Sequence, residues 1–327
     1  MNESETKEDR RKVLRERVKD LENAPVDNET VRRTRRVMSA ELDQFDDPVV
    51  DASPDLADET LIRHYVSVSQ FLSIVEGEHL WLSSVGGFTD SLEGAATDMG
   101  KDAFDDMDEL IDEAKQREMA DETTEALLDE ASAENVFNLR KTIRNHCLVN
   151  CWRLGEDAES YKESAVFWNS YVPGGIGVAI ESRVGKLKDL FEQHIETEHA
   201  SLTPSVGPIG MVGEVSYIDF ESAYDLAGHP ARLLCKHDGF AEEREYRLIV
   251  NSIGPDERAK AMVGANVDAP FGEYMYVDPA QLIDKVYVAP NAPQHLMESI
   301  KSILGDRSGF DSDSVQWSEL YRDDPTY

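Results

Sequence analysis

Residues Leu61–Gly94 read LIRHYVSVSQFLSIVEGEHLWLSSVGGFTDSLEG, and the order of local signals in this stretch decides the fold class. Leu61–Val66 alternates so that Ile62, His64 and Val66 share one face and Arg63, Tyr65 and Ser67 the other, the pattern of a strand. Ser67-Val68-Ser69-Gln70 has the spacing of a capping box, in which the Ser hydroxyl and the Gln side chain each satisfy an orphan amide, so a helix is expected over Val68–Glu76. Gly77 ends that helix, and His79–Ser83 resumes as an aromatic-containing strand. Gly86-Gly87-Phe88-Thr89-Asp90 then reads as a loop.

Outward from this unit, strands and helices interleave without a regular βαβ period. His146–Arg153 alternates with Cys147, Val149 and Cys151 on one face. A helix over Tyr161–Tyr171 leads through Pro173-Gly174-Gly175-Ile176-Gly177, a turn, into a strand at Val178–Glu181 and a helix at Val184–Ile195. Residues 200–210 are Ser/Thr/Pro/Gly-rich and read as a loop. Strands are expected at Met211–Ile218, Glu243–Val250, Glu273–Val277 and Ile283–Val288. A helix at Pro293–Leu304 and a short strand at Ser314–Trp317 follow. The predicted class is α+β, with a mixed or antiparallel central sheet flanked by helices. One domain is expected over 61–318, with a C-terminal tail over 319–327. Residues 98–134 carry 15 acids against three bases, and Phe104, Met107, Leu110, Ile111 and Ala114 recur at helical spacing. We expect an acidic helical insertion over 98–145 that covers the sheet. Residues 1–50 read as a charged helical extension of two weakly amphipathic helices, with Val13, Leu14, Val18 and Leu21 on the first. Such helices cannot form a core alone and should pack on the main domain or on a second copy of the chain.

The 327 residues carry 66 Asp+Glu against 33 Lys+Arg, a formal net charge of −33, and the 20 Arg outnumber the 13 Lys. Such a charge repels itself in dilute buffer, whereas molar salt shortens the Debye length to about 3 Å. The composition therefore fits a salt-filled cytoplasm. It also argues against nucleic acid as a partner, because phosphate binding needs a basic footprint. The one basic run, Arg32, Arg33, Arg35 and Arg36, reads as a solvated helix face. Three cysteines cannot form a disulfide framework, MNESETKEDRRK has no apolar signal core, and no run approaches 18 apolar residues. A cytoplasmic protein that does not enter a membrane is expected.

No Walker loop, G-x-S-x-G elbow or H-E-x-x-H pair is present. Pro173–Gly177 runs from helix to strand, the reverse of a phosphate cradle. Cys147 and Cys151 share a strand face without a second pair, so buried apolar thiols rather than a metal site are expected. His64 is a core strand histidine or a site residue. Asp90 and Glu93, in the loop after the Gly pair, are site candidates or turn caps. The densest set is Lys236-His237-Asp238-Gly239-Phe240 with Glu242-Glu243-Arg244-Glu245-Tyr246-Arg247. On an extended segment Glu243, Glu245 and Arg247 share a face, and charges entering a buried strand must be paired. The set is either a Glu–Arg brace or a carboxylate presented in a cleft.

Four blocks together resemble an uncharacterised bacterial and archaeal family catalogued as domain of unknown function 2971. Arg63-His64-Tyr65, Leu80-Trp81-Leu82-Ser83 and Phe88–Gly94 are similar to its H-Y-T, L-W-L-S and F-N-D-P-F-E-G segments. Phe167-Trp168-Asn169-Ser170-Tyr171 with Gly175–Ile180 resembles M-W-S-H-Y-A and G-V-C-I-G-F, although Asn169-Ser170 replaces the usual Ser-His. Lys236 with Glu243–Ile249 resembles K…Y-E-K-E-W-R-L-I, and Ile283–Val288 resembles I-x-x-V. The resemblance covers about residues 61–305. The family's order of parts is similar to the ADP-ribosyltransferase fold, which sets a strand His, a Tyr and a strand Glu around NAD. That likeness implies NAD as ligand, with His64 at the adenine-side ribose, Tyr171 stacked on nicotinamide and Glu245 at the nicotinamide ribose. Trp168, Arg247, Asp90, Glu93 and Lys236 complete the expected binding set.

Two readings of function follow: an NAD-consuming transferase or glycohydrolase acting in stress response or phage defence, and a non-catalytic protein that binds or senses a small ligand. A metal-dependent hydrolase using Asp90 and Glu93 is a third.

Overall fold

The computed structural model describes residues 11–12, 14–16, 18–19, 21–23, 29–88, 93, 133–200, 208–219, 230–262, 265–311 and 313–320. The expected acidic helices over 98–132, and Asp90, lie outside the described residues.

A ten-stranded mixed sheet organises the α+β fold. Its chain begins with α1 (Glu29–Asp43), β1 (Val49–Asp51), β2 (Leu61–Ser67), α2 (Val68–Val75) and β3 (His79–Ser84). Then come α3 (Ala133–His146), β4 (Cys147–Leu154), α4 (Ala165–Tyr171), β5 (Gly177–Arg183), α5 (Val184–Glu198), β6 (Gly210–Glu214) and β7 (Ser216–Ile218). The remainder is β8 (Cys235–His237), β9 (Glu245–Asn251), α6 (Pro255–Met262), β10 (Gly272–Tyr276), α7 (Pro279–Leu282), β11 (Lys285–Val288), α8 (Gln294–Gly305) and β12 (Val315–Trp317). The sheet order is β1-β6-β9-β4-β2-β5-β11-β12, antiparallel throughout its middle and parallel at the β1–β6 and β11–β12 ends. β3 joins the free side of β4 and carries β10 on its own outer edge.

The capping box forms as expected: Ser67 Oγ accepts from the Gln70 amide, and the Gln70 side chain accepts from the Ser67 amide. Gly174 (φ 79°) and Gly175 (φ 69°) turn the chain through the left-handed region between α4 and β5, a conformation that β-carbons disfavour.

Four expectations need correction. Val49–Asp51 pairs with Gly210–Val212, so the sheet begins before residue 61. The helix expected from Tyr161 starts at Ala165, because Lys162 is held in a loop by its amide bond to Glu156 and by the Arg153 bond to its carbonyl. Met211–Ile218 breaks at Val215 into β6 of the main sheet and β7, which pairs with β8 in a separate two-stranded ribbon. Finally, the sequence pattern announces none of α6, α7 and β8.

The two sheet faces bury different cores. One holds Ile62, Val66, Trp152, Tyr246 and Leu248 under α2, α5 and α8. On the other, Val149, Met211 and Ile249 pack with Leu14, Leu21, Met38 and Phe45, so the N-terminal helices fold onto this sheet. A separate aromatic core on that side joins Tyr65 and Tyr287 to Phe167 and Trp168 of α4.

Candidate functional site

The sheet is split at its centre. β2 pairs with β4 only at Ile62–Leu154 and Arg63–Arg153, while β3 pairs with β4 only at Ser83–Val149 and Ser84–Leu148. Between these contacts, Asn150–Trp152 has a ladder partner only in β9. Side chains take over the missing ladder bonds. His64 Nδ1 lies 2.9 Å from the Cys151 carbonyl oxygen, and Asn150 Nδ2 donates to the Trp81 carbonyl at 3.1 Å. The Trp152 indole donates to Asn150 Oδ1 at 2.6 Å and stacks on His64 with ring centroids 5.0 Å apart.

A cleft of about 440 Å³ opens at this split. Its walls are largely aromatic, with Trp81, Trp152, Phe167, Tyr171 and Phe240 among them, and α2 contributes Gln70, Ser73 and Ile74. Its floor is charged. Glu245 Oε1 accepts from Lys236 Nζ at 2.9 Å, and Glu245 Oε2 accepts from Arg247 Nε at 2.6 Å. Lys236 also meets Glu93 at 3.3 Å and donates to Glu243, while Arg247 donates to Glu93 and to the Leu233 carbonyl. Glu93, Glu245, Arg247 and Lys236 are all buried. Two cations thus face three carboxyls with little water to screen them, so a group that lost its partner there would be costly.

The backbone that delivers the two neighbouring glutamates is unusual. Arg244 takes a left-handed conformation (φ 46°, ψ 55°), held by bonds from its guanidinium to Glu156 and the Gly155 carbonyl. This kink lets Glu243, at the end of a 3₁₀ turn, and Glu245, the first residue of β9, both reach Lys236. A non-glycine residue there stores about 1–2 kcal/mol of strain.

The electrostatics separate the two carboxyls. Burial raises Glu243, its hydrogen bond with Glu245 adds to that, and Lys236 offsets only part, so it is pushed up to about 7. Burial also disfavours ionised Glu245, but the Arg247 charge, the Glu243 hydrogen bond and Lys236 outweigh it and hold this carboxyl well below its ordinary value. Burial lowers His64 to about 4, offset in part by the Cys151 carbonyl. Its imidazole is therefore neutral at pH 7. Burial raises Tyr171, and the Glu243 and Glu245 charges raise it further. Two carboxyls whose environments drive them apart are a recurring source of acid–base pairs.

Of the residues singled out by sequence, His64, Tyr171, Glu245, Arg247, Glu93 and Lys236 line this one cleft. Trp168 does not: it is buried in the neighbouring core, edge-on to Tyr65 at 4.9 Å, with its indole N–H bonded to Glu163. Its helix turns Phe167 and Tyr171 to the cleft instead. Glu243, which the sequence places in the charged set without a role of its own, also lines the cleft, as do Cys151 and Arg153, which no motif singles out for it. The alternation of β4, which puts Cys151 and Arg153 on one face, could have pointed to those two. As expected, Cys147 is a buried thiol, which burial pushes up to about 12. Among the described residues no helix is long and apolar enough to cross a membrane. No family model, curated protein or solved structure matches the chain.

Proposed function

We propose that the cleft binds a nucleotide of the NAD type and cleaves its bond between ribose and nicotinamide, as an ADP-ribosyltransferase-like or NAD-glycohydrolase-like protein of stress response or phage defence. The observation that carries this reading is the convergence of His64, Tyr171 and Glu245, from three distant segments, on one aromatic-walled cleft. Tyr171, nearly half exposed at 45%, offers a ring face to the nicotinamide. Neutral His64 keeps Nε2 for a ribose hydroxyl while Nδ1 is engaged by Cys151. Ionised Glu245 stabilises the positive ribosyl centre as the C–N bond breaks and its electron pair leaves with nicotinamide. The oxygen of water or of an acceptor then bonds to the ribosyl carbon, and Glu243 takes the proton released.

Nicotinamide release from NAD tests this, in dilute buffer and in molar KCl. Release should be abolished by Glu245→Gln and reduced by Tyr171→Ala, with circular dichroism checking the fold of each. No release by the parent above the protein-free rate, or unchanged turnover in Glu245→Gln, removes the proposal.

One observation favours a second reading, in which the cleft binds or senses a ligand without turning it over. Both carboxylate oxygens of Glu245 are already engaged, by Lys236 and Arg247. Calorimetric binding of NAD or ADP-ribose without nicotinamide release selects this reading.

A further inference from the structure

On the opposite face of the β3–β10 ribbon from Trp81, three potential ligands converge. His194 lies on α5, His199 caps its C-terminal end, and Glu273 lies on β10. His194 Nε2 is 2.9 Å and His199 Nε2 is 2.7 Å from the same carboxylate oxygen, Glu273 Oε1. One ligand atom from each residue lies within 4.8 Å of the other two. We propose that His194, His199 and Glu273 form a binding site for a divalent transition-metal ion, with Zn²⁺ as the species best suited to the donors.

The donor set chooses the metal class. Two imidazole nitrogens and one carboxylate oxygen suit zinc and its neighbours, whereas calcium and magnesium favour all-oxygen shells. Zinc holds such donors at about 2.0–2.2 Å, which puts tetrahedral ligand atoms roughly 3.3 Å apart. The two His–Glu spacings, 2.9 and 2.7 Å, lie close to that value, and no pair of ligand atoms is more than 4.8 Å apart.

A second observation points the same way. His194 is 3% exposed, yet neither of its ring nitrogens makes a hydrogen bond of good geometry, although Nε2 is near the carboxylate. Poorly aligned polar contacts of a buried imidazole are unfavourable, and a metal on Nε2 would give that nitrogen a directed bond in place of its off-line approach to Glu273. Three protein ligands leave a fourth position for water, and the Glu273 side chain, 27% exposed, gives it a path to solvent. The ion would clamp β10 to α5. Because Tyr274 of β10 pairs with Trp81 of β3, it would also fix the strand that supplies one wall of the cleft.

The test uses the full chain, stripped with a chelator, dialysed, and titrated with Zn²⁺ against a chromophoric competitor. One equivalent should bind with micromolar or tighter affinity and raise Tm, and Co²⁺ should give visible d–d absorption of a four-coordinate N/O site. His199→Gln and Glu273→Gln should each weaken binding by at least ~100-fold, since a three-ligand site loses a first ligand. Glu273, the most exposed ligand, provides the variant whose fold is safest. No binding at ~100 µM Zn²⁺, or full-affinity binding retained by folded Glu273→Gln, overturns the site.

Discussion

Arg247 reaches back along its own strand to place Nε 2.6 Å from Glu245 Oε2, and both side chains are buried. The pair is the hinge of the cleft floor, because Arg247 also bonds Glu93 and the Leu233 carbonyl. Arg247→Met leaves Glu245, Glu93 and Glu243 sharing Lys236. Removing one partner of a buried ion pair destabilises by about 3–5 kcal/mol. The double variant Glu245→Leu/Arg247→Met removes one charge of each sign and keeps Lys236 beside Glu93. Chemical denaturation should therefore find the double variant more stable than Arg247→Met. The reverse order would mean that the ion pairs do not govern this floor.

Local signals account for most of what can be read from the chain. The capping box at Ser67 and the alternation of Leu61–Ser67 and Cys147–Leu154 depend on neighbours a few residues away, so their pattern is written in order. The split of the sheet is a different matter. It depends on β2 and β3 both approaching β4, and no local pattern records that two strands will divide one edge. Glu243 shows the same limit: extended alternation sets it on the face of Glu245, yet the left-handed Arg244 is what brings both to Lys236. No motif in the sequence joins His194, His199 and Glu273, because a helix end and a distant edge strand supply them.

His64 and Glu243 should couple stability to pH with opposite signs. His64 falls from 6.5 to about 4 on folding, so the unfolded chain binds more protons between these values. Its contribution is lost as pH falls from 6.5 toward 4. Glu243 rises from 4.5 to about 7, so the folded chain binds more protons, and stability is lost as pH rises through that window. The two oppose each other over the shared range. Relative to the parent, His64→Gln should show a more negative slope of unfolding free energy against pH, and Glu243→Gln a more positive one. Each difference is bounded by one proton, about 1.4 kcal/mol per pH unit. Slopes unchanged in both variants would show that neither group titrates as inferred.

The cap at Ser67 ties helix stability to cleft shape, because α2 supplies Gln70, Ser73 and Ile74 to the cleft. Ser67→Ala removes the acceptor for the Gln70 amide and should lower stability by about 1 kcal/mol. Hydrogen exchange should speed up most at the first amides of α2. Ser67→Asp keeps an acceptor at the cap and should recover most of the loss. If it recovers none, the hydroxyl matters for something other than the helix end.

A net charge of −33 makes ionic strength a stability variable in its own right. Self-repulsion acts between exposed carboxylates over distances that a Debye length of about 10 Å at 0.1 M leaves partly unscreened and one of about 3 Å at 1 M removes. The buried pairs around Lys236 and Arg247 are shielded from salt by the protein itself, so screening relieves the repulsion without dissolving the cleft floor. Tm should therefore climb from dilute buffer into molar KCl, steeply at first and then more gently. An uncharged osmolyte should not reproduce the steep initial part. A Tm that stays flat or falls with KCl would show that surface charge is not the dominant opponent of this fold.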